Sequence, residues 1–108
     1  MSWYVASLLF EAIHSDPSSA ENVWEERLIL LSADSAGIAD ELAQKIGSES
    51  GVAYAGQGDD RIMWKFRRVE RIFTLLEPEL RNGVEIFSRF LRASEVRSLL
   101  TKFPDTGD

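Results

Sequence analysis

The sequence predicts an α+β domain: a mainly antiparallel sheet of four to five strands, with one helix after strand two and a C-terminal helix. Three observations carry this expectation. Stretches rich in aromatic and β-branched residues alternate with turn residues, the mark of strands. One stretch, Ile38 to Ile46, repeats its apolar residues every three or four positions, as a helix does. The 108 residues, 44% of them hydrophobic, supply one core and leave no room for a second, so residues 1–108 read as a single domain with a polar tail from about 104.

Strand one runs from Trp3 to about Ile13 and ends at the turn residues Asp16-Pro17-Ser18-Ser19. Val23 to Ala33 is strand two, paired antiparallel with strand one. Asp34 or Ser35 can cap the helix that carries Ile38, Ala39, Leu42, Ala43 and Ile46, and Gly47 closes it. Gly51 to Ala55 makes a short third strand, joined by the hairpin loop Gly56 to Asp60 to strand four. Strand four starts at Arg61 and reaches Leu75, with Ile62, Trp64 and Phe66 alternating against Arg61, Lys65 and Arg67. Glu77-Pro78 and Asn82-Gly83 bracket a loop, Val84 to Leu91 is strand five, and a last helix begins at Ser94 and carries Val96, Leu99, Leu100 and Phe103.

Strands one and two are apolar on both alternating sets. Trp3, Val5 and Leu9 oppose Tyr4, Leu8 and Phe10, while Ile29 and Leu31 oppose Trp24, Leu28 and Leu30. Such strands are expected to be covered on both faces. The first helix can cover one face, and the other needs the C-terminal helix, a curled sheet or a second chain. A homodimer and an intrachain cover by the C-terminal helix weigh equally at this point.

The net charge of −6 is uneven. Residues 1–54 hold nine acidic and two basic residues, a balance of −7, and residues 55–108 hold nine acidic and ten basic, a balance of +1. Net acidity disfavours general affinity for nucleic acid or anionic membrane. With no cysteine there is no disulfide framework, thiolate nucleophile, Cys-type zinc site or iron–sulfur cluster. The apolar start lacks a basic leader, and no run is long enough to span a bilayer, so the expected compartment is the cytoplasm.

Few residues invite chemistry. His14 is the only histidine and sits at the end of strand one beside a turn, where a structural role outweighs a catalytic one. No metalloprotease, nucleophile-elbow, phosphate-loop or dinucleotide motif is present, and no catalytic, cofactor or metal residue is assigned. Glu25 and Glu26 lie within an apolar strand and point to opposite faces, so they cannot act as one acid–base pair. Each is expected to pair with a cation on a neighbouring strand, such as basic strand four, or else to meet a ligand or partner; Glu85 carries the same two readings. Arg61, Lys65, Arg67 and Arg71 form a basic stripe on one face of strand four, with Arg68 on the other. The stripe lacks a stacking platform because Trp64 and Phe66 point to the core. Trp3, Trp24 and Trp64 are read chiefly as core residues.

Trp3-Tyr4-Val5-Ala6 with Leu8-Leu9-Phe10-Glu11, Trp24-Glu25-Glu26-Arg27 before an aliphatic strand, Tyr54, Trp64-Lys65-Phe66, and Gly83-Val84-Glu85-Ile86-Phe87-Ser88 appear here in order. Together they resemble the small bacterial proteins of domain of unknown function 4288. The resemblance spans most of the chain and implies a free-standing bacterial cytoplasmic protein, with no activity or site residue to carry over. The residues therefore favour a non-enzymatic interaction protein that binds another protein or itself, a homodimer, with a partner-neutralising, immunity-like role as one form. The alternative is a small-molecule or peptide binder, or an enzyme, with Glu25 or Glu26, Tyr54, Trp64 and Glu85 around one pocket. Candidate contacts are Trp24, Glu25, Glu26, Tyr54, Trp64, Lys65, Arg67 and Glu85; neither nucleic acid nor a membrane is an expected partner.

Overall fold

A computed structural model describes residues 1–15, 23–50, 61–76 and 79–101, and the backbone path of 52–55. Its elements are β1 (Ser2–His14), β2 (Trp24–Ala33), α1 (Ala36–Glu49), β3 (Val52–Ala55), β4 (Arg61–Thr74) and α2 (Ala93–Leu100). The sheet is antiparallel in the order β2-β1-β4-β3. The class is therefore α+β with an antiparallel sheet. Of the expected four to five strands three are long, β2, β1 and β4; the four-residue β3 pairs only along Arg61 to Trp64, and no fifth forms among the described residues. The stops expected at Asp16 to Ser19 and the hairpin loop at Gly56 to Asp60 lie outside the described residues.

β1 lies inside the sheet, between β2 and β4, and is buried along most of both alternating sets. Its Tyr4, Ala6, Leu8 and Phe10 are buried beneath α1, with Leu31 and Ala33 of β2 and Ala39 and Ala43 of α1 completing the core. The two alanines and Gly47 give α1 a small-residue face that lets it lie close on the sheet. Full burial of a side chain such as Leu8 or Phe10 contributes about 1.5–3 kcal/mol. Ser35 caps α1, its Oγ accepting from the Ile38 N–H at 3.2 Å, a device that stabilises a helix by about 1 kcal/mol. Gly47 does not end the helix as expected; α1 continues to Glu49, and Gly47 is buried against the Phe66 ring.

β4 carries two irregularities that the simple alternation misses. Its register with β1 passes from Ser7↔Arg71 to Leu8↔Val69, and from Leu9↔Arg68 to Phe10↔Phe66. Each step leaves one extra residue, Glu70 and then Arg67, and each inverts the alternation. Between them the phase is reversed, so Val69 faces α1 while Arg68, opposite Leu9, shares a face with Lys65 and Arg71. The expectation that Arg68 lies on the opposite face from the basic stripe is thereby corrected.

The segment expected as strand five, Val84 to Leu91, forms no strand. Arg81 to Val84 make a turn closed by the Val84 N–H and the Arg81 carbonyl at 3.2 Å, and Gly83 at its third position has φ +89°, which glycine adopts without strain. After this turn Phe87 packs on Phe73, their ring centroids 4.9 Å apart, and the chain leaves the sheet without joining its ladder. The last helix starts at Ala93, one residue before the expected start. Its N-terminus is tied by the Arg92 N–H donating to Glu95 Oε1 at 2.9 Å.

Candidate functional site

The two faces of the sheet differ in kind. On the α1 face β2 places Glu25, Arg27, Ile29, Leu31 and Ala33, all half-buried or buried. Glu25 and Arg27, two residues apart on one strand, form an ion pair there, and the Arg27 guanidinium lies 3.9 Å from the centroid of the Phe10 ring. Arg27 thus closes the end of the core with its flat cation over an aromatic face, and Glu25 neutralises it. The expected partner of Glu25, basic strand four, is replaced by a neighbour on its own strand.

On the opposite face no helix is laid down. Trp24, Leu28 and Leu30 of β2, Trp3 and Ile13 of β1, and Met63 of β4 are all exposed, Trp24 at 49% and Leu30 at 44%. The expectation that β1 and β2 are covered on both faces holds for the middle of β1, where Val5 and Ser7 are buried on this side and Phe87 packs on Phe73, the residue opposite Val5, and fails for β2, since α2 packs against neither α1 nor any strand. In consequence Trp3 and Trp24 are surface residues, whereas Trp64 packs on the core as expected.

On this face a buried hydroxyl meets an exposed carboxylate. Ser7, in the middle of β1, is almost wholly buried, and its Oγ–H donates to Glu26 Oε2 at 2.5 Å. Glu26 therefore meets a hydroxyl on the neighbouring strand rather than a cation. The signal was present in the sequence as the one polar residue inside Val5-Ala6-Ser7-Leu8. On the other flank Lys65, Arg68 and Arg71 of β4 line the face, and Arg67 donates through Nε and Nη2 to Glu11 Oε1 at 2.9 and 2.8 Å. The face thus reads across the sheet as an apolar row with one carboxylate on β2, a mixed centre on β1 that includes Ser7 and Glu11, and a basic row on β4.

The residues expected to surround a pocket do not converge. Glu25 and Trp64 lie on the α1 face, Glu26 on the opposite face, and Glu85 in the loop after the Gly83 turn. Only the backbone of Tyr54 is described, paired with Ile62. A cleft of about 320 Å³ does exist beside Glu85, between the end of β4 at Phe73 and Thr74 and the loop from Arg81 to Ser88. None of the other expected residues lines it. Among the described residues no three His, Asp or Glu side chains group as a metal set would, and no helix is long and apolar enough to cross a membrane. Sequence reasoning left Trp3, Ser7, Ile13, Leu28, Leu30, Met63, Arg68 and Arg71 of this face out of the candidate contacts.

No curated protein and no solved structure matches the chain. A family model does match, over residues 3–88, a span that takes in every strand and α1 and stops short of α2. Its description is Domain of unknown function (DUF4288), and by a match over most of its length the chain belongs to that family.

Proposed function

We propose that this chain is a non-enzymatic protein-interaction module that self-associates through the sheet face opposite α1. One observation carries the reading: Trp3, Trp24, Leu28 and Leu30 stand exposed together on a face whose polar centre, Ser7 and Glu26, is already satisfied within the chain. Contiguous exposed apolar side chains mark contact surfaces in soluble proteins, and tryptophan is enriched in such contacts. The scattering of Glu25, Glu26, Trp64 and Glu85 over different faces supports recognition over chemistry. For any hetero-complex, the balance of −7 over residues 1–54 favours a basic partner, the form a partner-neutralising role would take.

Sedimentation across a dilution series tests self-association. A species of twice 12.2 kDa that dissociates on dilution, and that Leu28→Glu with Leu30→Glu converts to the single mass, supports it. A single mass at every concentration overturns it.

A further inference from the structure

We infer that self-association joins two sheets edge to edge: β2 of one copy pairs antiparallel with β2 of the other about a two-fold axis at Ile29. The inference rests on the self-association proposed above and adds how the two copies meet. In the order β2-β1-β4-β3, β2 is an outermost strand, and among the described residues it lies against β1 and α1 alone. The Ala12 N–H donates to the Val23 carbonyl at 2.8 Å, and an antiparallel ladder repeats this pattern at every second residue. The odd-numbered residues of β2 therefore bond to β1, while Trp24, Glu26, Leu28, Leu30 and Ser32 turn their N–H and C=O groups to the outer edge. α1 does not cross that edge, since it runs from the end of β2 toward Phe66 of β4, against which Gly47 lies.

The open edges of the sheet are built differently. Past Trp64 the outer side of β4 has no partner strand among the described residues, and there the extra residues Arg67 and Glu70 and the cations Lys65, Arg68 and Arg71 interrupt it. Bulges and cations keep an open edge from pairing. β2 lacks both over its second half: its register with β1 is unbroken, and Leu28 to Ala33 holds no charge and no proline. Such an edge accepts a strand, and its own sequence selects a second copy. Symmetric pairing sets residues opposite one another at equal distances from the axis, with opposed side chains on one face. An axis at Glu26 or Arg27 opposes like charges, one at Leu30 sets Glu26 against Asp34, and one at Leu28 sets Glu26 against Leu30. An axis at Ile29 opposes Leu28 to Leu30 and Glu26 to Ser32, and on the α1 face Arg27 to Leu31. The charges at the start of β2 then meet uncharged residues, and the exposed leucines of both copies join on the face opposite α1. The seam consumes the outward N–H and C=O groups of β2, so association through this edge closes at two.

The absence of native cysteine makes the test direct. At the seam the two Ile29 residues form a non-hydrogen-bonded pair, with Cα atoms about 4.5 Å apart, inside the roughly 4.4–6.8 Å that a disulfide bridges. Ile29→Cys, oxidised in a glutathione couple at a concentration where the native chain dimerises, should run as a covalent dimer on a non-reducing gel. Ile29 lies on the α1 face, so packing of the opposite faces on one another holds the two Ile29 side chains apart, each behind its own sheet. A chain that dimerises but gives no Ile29→Cys linkage overturns edge pairing and leaves self-association standing. A second variant acts on the edge itself. Leu28→Pro removes an N–H that points outward and none that bonds β1, the kind of position where an edge strand tolerates proline. It should weaken the dimer about tenfold or more by sedimentation, with the far-ultraviolet spectrum unchanged. A Leu28→Pro dimer of native affinity overturns the pairing, and where proline unfolds the chain the Ile29→Cys linkage decides alone. A native chain of single mass at every concentration removes both readings together.

Discussion

Gly47 of α1 and Phe66 of β4 approach so closely that a Cβ on residue 47 would stand 2.5 Å from Cε1 of the ring. This contact sets the height of α1 above the sheet at the helix's C-terminal end. Gly47→Ala should destabilise the fold by about 1–3 kcal/mol through overpacking, against a helix-propensity gain of about 1 kcal/mol. Urea unfolding of the two proteins measures the difference. A more stable variant would mean that the Phe66 ring swings aside without cost.

Ser7 and Glu26 give a second prediction. Ser7→Ala removes a buried donor but leaves Glu26 able to reach water, so the loss should be about 1 kcal/mol. Glu26→Ala strands the buried hydroxyl and should cost at least as much, about 1–3 kcal/mol, whereas Glu26→Gln, which keeps an acceptor, should fall between it and the native protein. The order of the three urea midpoints checks the assignment.

Arg27 acts through shape as well as charge. Its planar guanidinium lies over Phe10 and holds Glu25, and an ammonium cannot cover the ring in the same way. Arg27→Lys should therefore lose about 0.5–1 kcal/mol although the charge is kept. Equal midpoints for Arg27→Lys and the native chain would limit Arg27 to a point charge.

Residues of the exposed β2 face should separate folding from association. Leu28→Glu and Leu30→Glu act at exposed positions, so in dilute solution each should move the unfolding free energy by no more than about 0.5 kcal/mol. At concentrations where the native chain dimerises, each should lower the melting temperature relative to native, since the native chain alone gains stability from assembly. Calorimetry at two concentrations distinguishes the two effects.

The parts of this fold that were legible in the sequence are those fixed by local pattern. β1, β2, α1 and β4 follow from alternation, helical spacing and the Ser35 cap, each set by residues close along the chain. The parts that were not legible depend on what comes to lie next to what. Val84 to Leu91 has the alternation of a strand, but the turn at Gly83 and the Phe73–Phe87 contact carry it away from any ladder. Arg68 was placed on the wrong face because period-two counting passes over the extra residues Arg67 and Glu70. Glu25 and Glu26 were rightly placed on opposite faces, but their partners, Arg27 and Ser7, were not, since a carboxylate's sequence does not say which donor it reaches. The doubly apolar strands were read correctly as residues. On β2 the second cover is what the described chain leaves open.

The central position of β1 bears on how the chain comes to be folded at all. β1 is made before both of its partners and pairs with β2 through a short connection, but its other edge waits for β4, and the pairing of Tyr4 with Thr74 spans most of the chain. Such distant pairings slow folding, because a long loop must close before any contact rewards it. During that interval the β1–β2 ribbon carries an unpaired edge and, until α1 packs on one side, two unshielded apolar faces, the combination from which misassembly begins. Synthesis that pauses before Arg61 leaves the nascent ribbon in that state longest, so yield should respond to translation speed across residues 34–60 more than anywhere else in the chain.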